Sequence, residues 1–263
     1  MLEEASLLKL YLSVAFIAAP QVTNSFFIRS KLLSIVHLTV AVIVIFAIYS
    51  DQKALSYCWP IFCLIHLVFY FKLGTKSKTT NLIPFFFSFV ASIWVIAGTN
   101  NYYLLGYDQN WSYYAALHGH FLGWIFFGCL AFLEQNSQRF KGFYRTATYI
   151  GVALFLLVAF GINGIPIIKA IGAIGLCILI PTTVALFCIE SKNSMAKILG
   201  QTTFALVLTS MTLAFLKELA LLPYIELLGA RLMVSLHGLI NSIFVPILFF
   251  LAIRLELKNE TAR

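Results

Sequence analysis

Nine apolar runs govern what this chain can fold into: residues 7–28, 32–49, 55–72, 82–98, 112–133, 145–162, 165–188, 198–222 and 230–254. Each is near the roughly twenty residues that a helix needs to cross about 30 Å of hydrocarbon. In lipid every backbone N–H and C=O must be paired within the protein, which leaves helices or closed barrels, and barrel strands would alternate over about ten residues instead. The sequence therefore predicts an all-α, polytopic transmembrane helical bundle of eight or nine spans, forming one transmembrane domain over residues 1–263. The count turns on the first run, where Gln21, Thr23 and Asn24 are polar. If that run only lies at the interface, eight spans remain. Glu3 and Glu4 stand where a signal peptide would carry basic residues, so the first run is expected to stay with the chain. Composition agrees: 61% of residues are hydrophobic and 11% charged, against about 25% charged in soluble domains.

The formal net charge of +8 points to topology and not to nucleic acid, because the positive charges sit in short loops. Arg29 and Lys31; Lys72, Lys76 and Lys78; Arg139, Lys141 and Arg145; and Lys192 and Lys197 occupy alternate connections, and Arg254 ends the last run with Lys258 and Arg263 after it. The intervening loops hold Lys53 beside Asp51 and otherwise no positive charge. The positive-inside rule then puts the N-terminus outside and the C-terminus in the cytoplasm. Cys58, Cys63, Cys129, Cys177 and Cys188 lie in apolar runs without a CxxC pair, as small core residues do. Paired broken helices, the mark of an inverted-repeat transporter, do not emerge from the positions of Pro20, Pro166, Pro181 and Pro246.

That orientation brings polar residues to one depth. His118 and His120 lie about 9 to 12 Å inside the outer surface at 1.5 Å per residue, and His237 lies at a similar depth with Asn241 one turn further in, on the same helical face. Lys217 and Glu218 lie within roughly two turns of the surface at which the eighth run ends, and Lys169 lies just inside the seventh run from that same surface. Ionisable groups cost about 2.5 to 3.5 kcal/mol each at the centre of a bilayer, so a shared site is expected over several isolated ones. His118 and His120 point about 200° apart on an ideal helix. They meet one pocket only if the helix is distorted, which Gly119 and Gly123 would permit. Gly123 also lets a neighbouring helix approach.

The stretch His118-Gly119-His120-Phe121-Leu122-Gly123-Trp124 fits an HxHxxG motif followed by an aromatic residue, and His237-Gly238-Leu239-Ile240-Asn241 fits HGxxN. On these two motifs the membrane portion resembles the YndJ-like membrane proteins of bacteria. The resemblance implies that His118, His120, His237 and Asn241 are family positions, and it implies the bacterial inner (plasma) membrane; it supplies no reaction. A weaker similarity runs to the histidine-bearing helices of haem-copper oxidases.

Three chemistries stay open to these residues. Acid/base catalysis uses His120, His237 and Glu218, with Asn241 donating to developing oxygen charge; imidazole, with an ordinary pKa of about 6.5, exchanges protons near neutrality. His118, Tyr114, Lys217, Trp124 and Phe127 then contact the substrate, an apolar small molecule of lipid-like, polyketide-like or isoprenoid-like character arriving from the membrane lipids. The reaction would be an isomerisation, a cyclisation or a hydrolysis. Within this reading Glu218 is expected to face the histidines while Lys217 snorkels outward. Zinc on two or three histidines and a carboxylate is the second chemistry, although i,i+2 spacing suits a helix less well than i,i+4. Haem b held by His120 and His237, or by His37 and His66, is the third. A non-catalytic transporter or assembly factor is the alternative to all three.

The topology is tested by adding single cysteines and labelling intact cells with an impermeant maleimide. Cysteines at Tyr103 and Asn163 label from outside, and those at Lys76 and Lys141 label only after permeabilisation; the reversed pattern overturns the orientation.

Overall fold

The computed structural model describes residues 3–50, 52–74, 79–162, 164–227 and 229–261. Asp51, Lys76, Lys78, Asn163 and Arg263, used above for topology, lie outside these residues, as does the side chain of Lys258. Among the described residues nine helices are long and apolar enough to cross a membrane. They are α1 (Glu4–Ile28), α2 (Lys31–Tyr49), α3 (Lys53–Leu73), α4 (Thr79–Asn100), α5 (Gln109–Asn136), α6 (Lys141–Ile162), α7 (Pro166–Glu190), α8 (Ser194–Glu218) and α9 (Met233–Leu257). Local chemistry starts several of them. Ser30, Asp108 and Asn193 accept from the backbone N–H of Leu33, Trp111 and Ala196; Pro84 stands where α4 passes from its opening 3-10 turn into regular α-helix, and Pro166 begins α7.

The first run is a complete helix of membrane-spanning length and is one of the nine among the described residues. Its polar residues turn inward: Thr23 and Asn24 are buried, and Gln21 bonds His37. With partners supplied by the protein, they give α1 no reason to lie at the interface. The eighth helix stops at Glu218, four residues before the end of the apolar run, because Leu219 leaves helical geometry and Ala220 adopts a left-handed φ of 57°. The chain then forms, among the described residues, its one strand pairing, the two-residue antiparallel pair of Glu226–Leu227 with Ala230–Arg231. Gly229, with φ of 82°, supplies the positive φ its turn requires.

The chain divides into two compact units, residues 1–128 and 129–263. In the first, α4 meets α5 at two glycines one turn apart. A Cβ on Gly119 would stand 2.8 Å from the Cβ of Ala91, and one on Gly123 would stand 2.3 Å from the Phe87 ring. Small residues let helices approach where lipid provides no hydrophobic drive for association. The centre of this unit is aromatic, with Phe16, Trp59, Phe62 and Trp124 fully enclosed.

In the second unit α6 to α9 pack as successive neighbours. The α6–α7 contact is as close as that of α4 with α5: a Cβ on Gly172 would lie 2.6 Å from the Leu154 carbonyl oxygen. At one end of the unit two carboxylates clamp the loops. Glu190, the last residue of α7, accepts from Ser137 Oγ at 2.7 Å and from the N–H of Gln138 and Arg139 at 2.9 Å each. Glu256, near the end of α9, repeats the arrangement on Ser191 Oγ at 2.5 Å and the N–H of Lys192 and Asn193 at 3.0 Å each. Each loop thus has its free N–H groups satisfied just before the following helix starts.

Glu190→Ala is expected to lower stability by about 1–3 kcal/mol and Glu190→Gln by less, since hydrogen bonds to a charged acceptor are lost or weakened. Denaturant unfolding in detergent measures this, and an unchanged midpoint for the alanine variant would show the clamp to be inert.

Candidate functional site

Both helices that carry the histidine motifs contain π-helical turns. Gly119–Phe126 within α5, and Met233–His237 and Ile240–Phe244 within α9, are π-helical, as is Asn24–Ile28 at the end of α1. A π segment is usually a single wide turn found at functional sites, because it gives up regular hydrogen bonding to redirect side chains. His120 and Trp124 lie inside the α5 segment, His237 closes the first α9 segment and Asn241 lies inside the second.

In the first unit the π segment serves a buried network of three histidines and two tryptophans. Pro20 has no N–H to give the Phe16 carbonyl one turn earlier. His37 Nε2 donates to that oxygen at 2.6 Å, leaving Nδ1 to accept from Gln21 Nε2 at 3.2 Å. His120 is fixed just as firmly. Its Nε2 accepts from the Trp59 indole N–H at 3.0 Å, so the ring proton is on Nδ1, which donates to the Ala116 carbonyl at 2.7 Å. Trp124 stacks on His120 with centroids 5.9 Å apart and donates to Thr23 Oγ1 at 3.0 Å; Thr23 Oγ1 in turn lies 3.2 Å from His66 Nε2. Among the described residues His66 Nδ1 is buried without a hydrogen-bond partner. His37 and His120 are thus neutral core imidazoles with both nitrogens engaged.

The second unit contains a smaller, more open cluster. Asn241 Nδ2 donates to Ser210 Oγ at 2.5 Å, and Ser210 Oγ lies 2.9 Å from His237 Nδ1. The same Nδ1 lies 3.1 Å from the Ser210 carbonyl oxygen, and Asn241 Nδ2 lies 3.3 and 3.2 Å from the two ring nitrogens. Ser210 is enclosed, whereas His237 and Asn241 are half-buried. Two tautomers fit: the Ser210 hydroxyl donates to a bare Nδ1, or Nδ1–H donates to the Ser210 carbonyl. The hydroxyl and the imidazole are therefore placed to exchange a proton, with an amide donor on the oxygen.

The remaining candidates are placed as follows. Phe127 is enclosed in the first unit and faces Phe87, with ring centroids 5.5 Å apart. Tyr114 is half-buried and its hydroxyl donates to the Glu4 carboxylate. His118 is exposed and its Nδ1 donates to the Tyr114 carbonyl at 2.7 Å, so the two motif histidines diverge even on the distorted helix. Lys217 is exposed. Glu218 forms an ion pair with Lys169, Nζ to Oε1 3.0 Å. Among the described residues no three His, Cys, Asp or Glu side chains are grouped to hold a metal ion.

Sequence reasoning passed over Trp59, Thr23 and Ser210. Trp59 had a signal: with Phe62, Cys63, His66 and Tyr70 it forms a stripe at i, i+3, i+4, i+7 and i+11, all of it buried. Ser210 had almost none. Thr202, Thr203, Thr209 and Thr212 on the same helix bond their own i−4 carbonyls, and nothing in the sequence sets Ser210 apart from them.

Trp59→Phe should keep the ring packing but leave the His120 lone pair buried and unpaired, at a cost of about 1–3 kcal/mol. Thermal unfolding of the purified variant tests this, with no loss as the contrary result. Comparison of the chain with protein-family models, with curated proteins and with solved structures gives no match.

Proposed function

We propose that this chain is a membrane-embedded enzyme of the bacterial inner membrane, related to the YndJ-like proteins, that carries out acid/base chemistry at His237. In this reading His237 moves the proton. Asn241 donates to oxygen as negative charge develops, and Ser210 fixes or relays the His237 proton. Glu218, the carboxylate of this reading, forms an ion pair with Lys169. The substrate is lipid-like, polyketide-like or isoprenoid-like, the reaction is an isomerisation, cyclisation or hydrolysis, and the N-terminus is outside with the C-terminus cytoplasmic. The observation that carries the reading is the coincidence of both histidine motifs with π-helical segments, where irregular backbone serves side-chain placement.

His120 enters the chemistry only by releasing Trp59, since its one lone pair is occupied. The complete pairing of His37 and His120 favours a second reading, in which the chain is a non-catalytic transporter or assembly factor and these histidines hold the helices together.

Purified protein incubated with a total bacterial lipid extract in D2O enriched in 18O-water tests the enzymatic reading across all lipids at once. Isomerisation or cyclisation places deuterium on carbon, and hydrolysis places 18O in a product. His237→Ala should lower that label by about 100-fold or more, the smallest effect usual for a general acid or base, while the variant stays folded. Labelling no greater than in a protein-free control, or retained by His237→Ala, removes the proposal.

A further inference from the structure

A cleft of about 270 Å³ opens in the second unit where α5, α7 and α9 end. Those ends mark the depth at which hydrocarbon gives way to lipid headgroups. Phe132, Phe187 and Ile253 form apolar walls, and Arg139, Lys192, Glu190 and Glu256 supply the charge. The two carboxylates are the loop clamps already described. A carboxylate offers about four acceptor positions, and the loop donors fill three on each. The two basic residues use their backbone N–H in those clamps, and the Lys192 charge also acts on Glu256. Among the described residues neither side chain forms an ion pair, although the Arg139 guanidinium lies 4.9 Å from the Phe140 ring centre.

Two cations and two anions around one small cleft are matched by a zwitterion and not by a plain anion. We propose that this cleft binds the headgroup of an aminophospholipid. The phosphate bridges Arg139 and Lys192, the primary ammonium donates to the remaining acceptor positions of Glu190 and Glu256, and the acyl chains leave along the apolar wall into the bilayer. Basic pockets between transmembrane helices hold lipid phosphates in this way. The carboxylates add a requirement for N–H donors, which a primary amine has and a choline lacks. The cleft is smaller than the range usual for drug-sized ligands, about 300–1,000 Å³, and so takes a headgroup and not a whole lipid. This inference does not depend on the reaction proposed above.

The test is native mass spectrometry of the delipidated full chain with phosphatidylethanolamine, phosphatidylcholine and phosphatidylglycerol of identical acyl chains. Phosphatidylethanolamine should be retained roughly tenfold better than either of the others, and Arg139→Ala with Lys192→Ala should lower its retention about tenfold by removing the partners of the phosphate. Both substitutions leave the clamping backbone N–H groups in place, and an unchanged unfolding midpoint checks that the variant is folded. Equal retention of the ethanolamine and choline lipids overturns the proposal, because it removes the role of the carboxylates. Best retention of phosphatidylglycerol overturns it as well, leaving a simple anion site. So does undiminished retention of phosphatidylethanolamine in the double variant.

Discussion

A carbonyl oxygen inside a bilayer has no water to turn to, and the first unit is organised around one such oxygen. Pro20 deprives Phe16 of its helical donor, and the vacancy is filled from another helix by His37. That bond determines which His37 nitrogen carries the proton, which nitrogen faces Gln21, and therefore how α1 and α2 are rotated toward each other. The same requirement recurs three residues later, where Thr23 offers its hydroxyl to Trp124 and His66 at the threshold of the π turn that ends α1. Backbone irregularity and buried polar side chains thus arise together in this unit. Each loosened turn is matched by a donor or acceptor reaching across from a different span.

The nine helices were legible because hydropathy acts on every residue of a run, so an error at one position changes little. The boundaries that shifted show where a single residue decides the outcome: the apolar run extends past Glu218, but the left-handed Ala220 and the turn at Gly229 divert the chain into a short strand pair. The polarity of Gln21, Thr23 and Asn24 left the first span in doubt for a related reason. Hydropathy prices a side chain as if it were alone, and these three have partners on other parts of the fold.

For the candidate site the dividing line is distance along the chain. His237 and Asn241 were readable as neighbours because four residues separate them, and they meet. The divergence of His118 and His120 followed from the 200° between alternate residues on an ideal helix. The bond from Trp59 to His120 spans 61 residues and that from Trp124 to Thr23 spans 101, and no periodicity within one helix encodes such a partner. Glu218 was expected to face the histidines. Its ion pair with Lys169, at the far end of the preceding helix, could be seen only once α7 and α8 were folded against each other.

The paired carboxylate clamps also bear on how the second unit is made. Ser137 and Glu190 are 53 residues apart, and Ser191 and Glu256 are 65 apart. The first loop can be secured when α7 has been inserted, but the second has no acceptor until the final helix is nearly complete. The second clamp can therefore close only after the first, once α9 brings Glu256 to the N–H groups that precede α8. The last helix acts as a keystone: it brings the residue that finishes a loop made long before it.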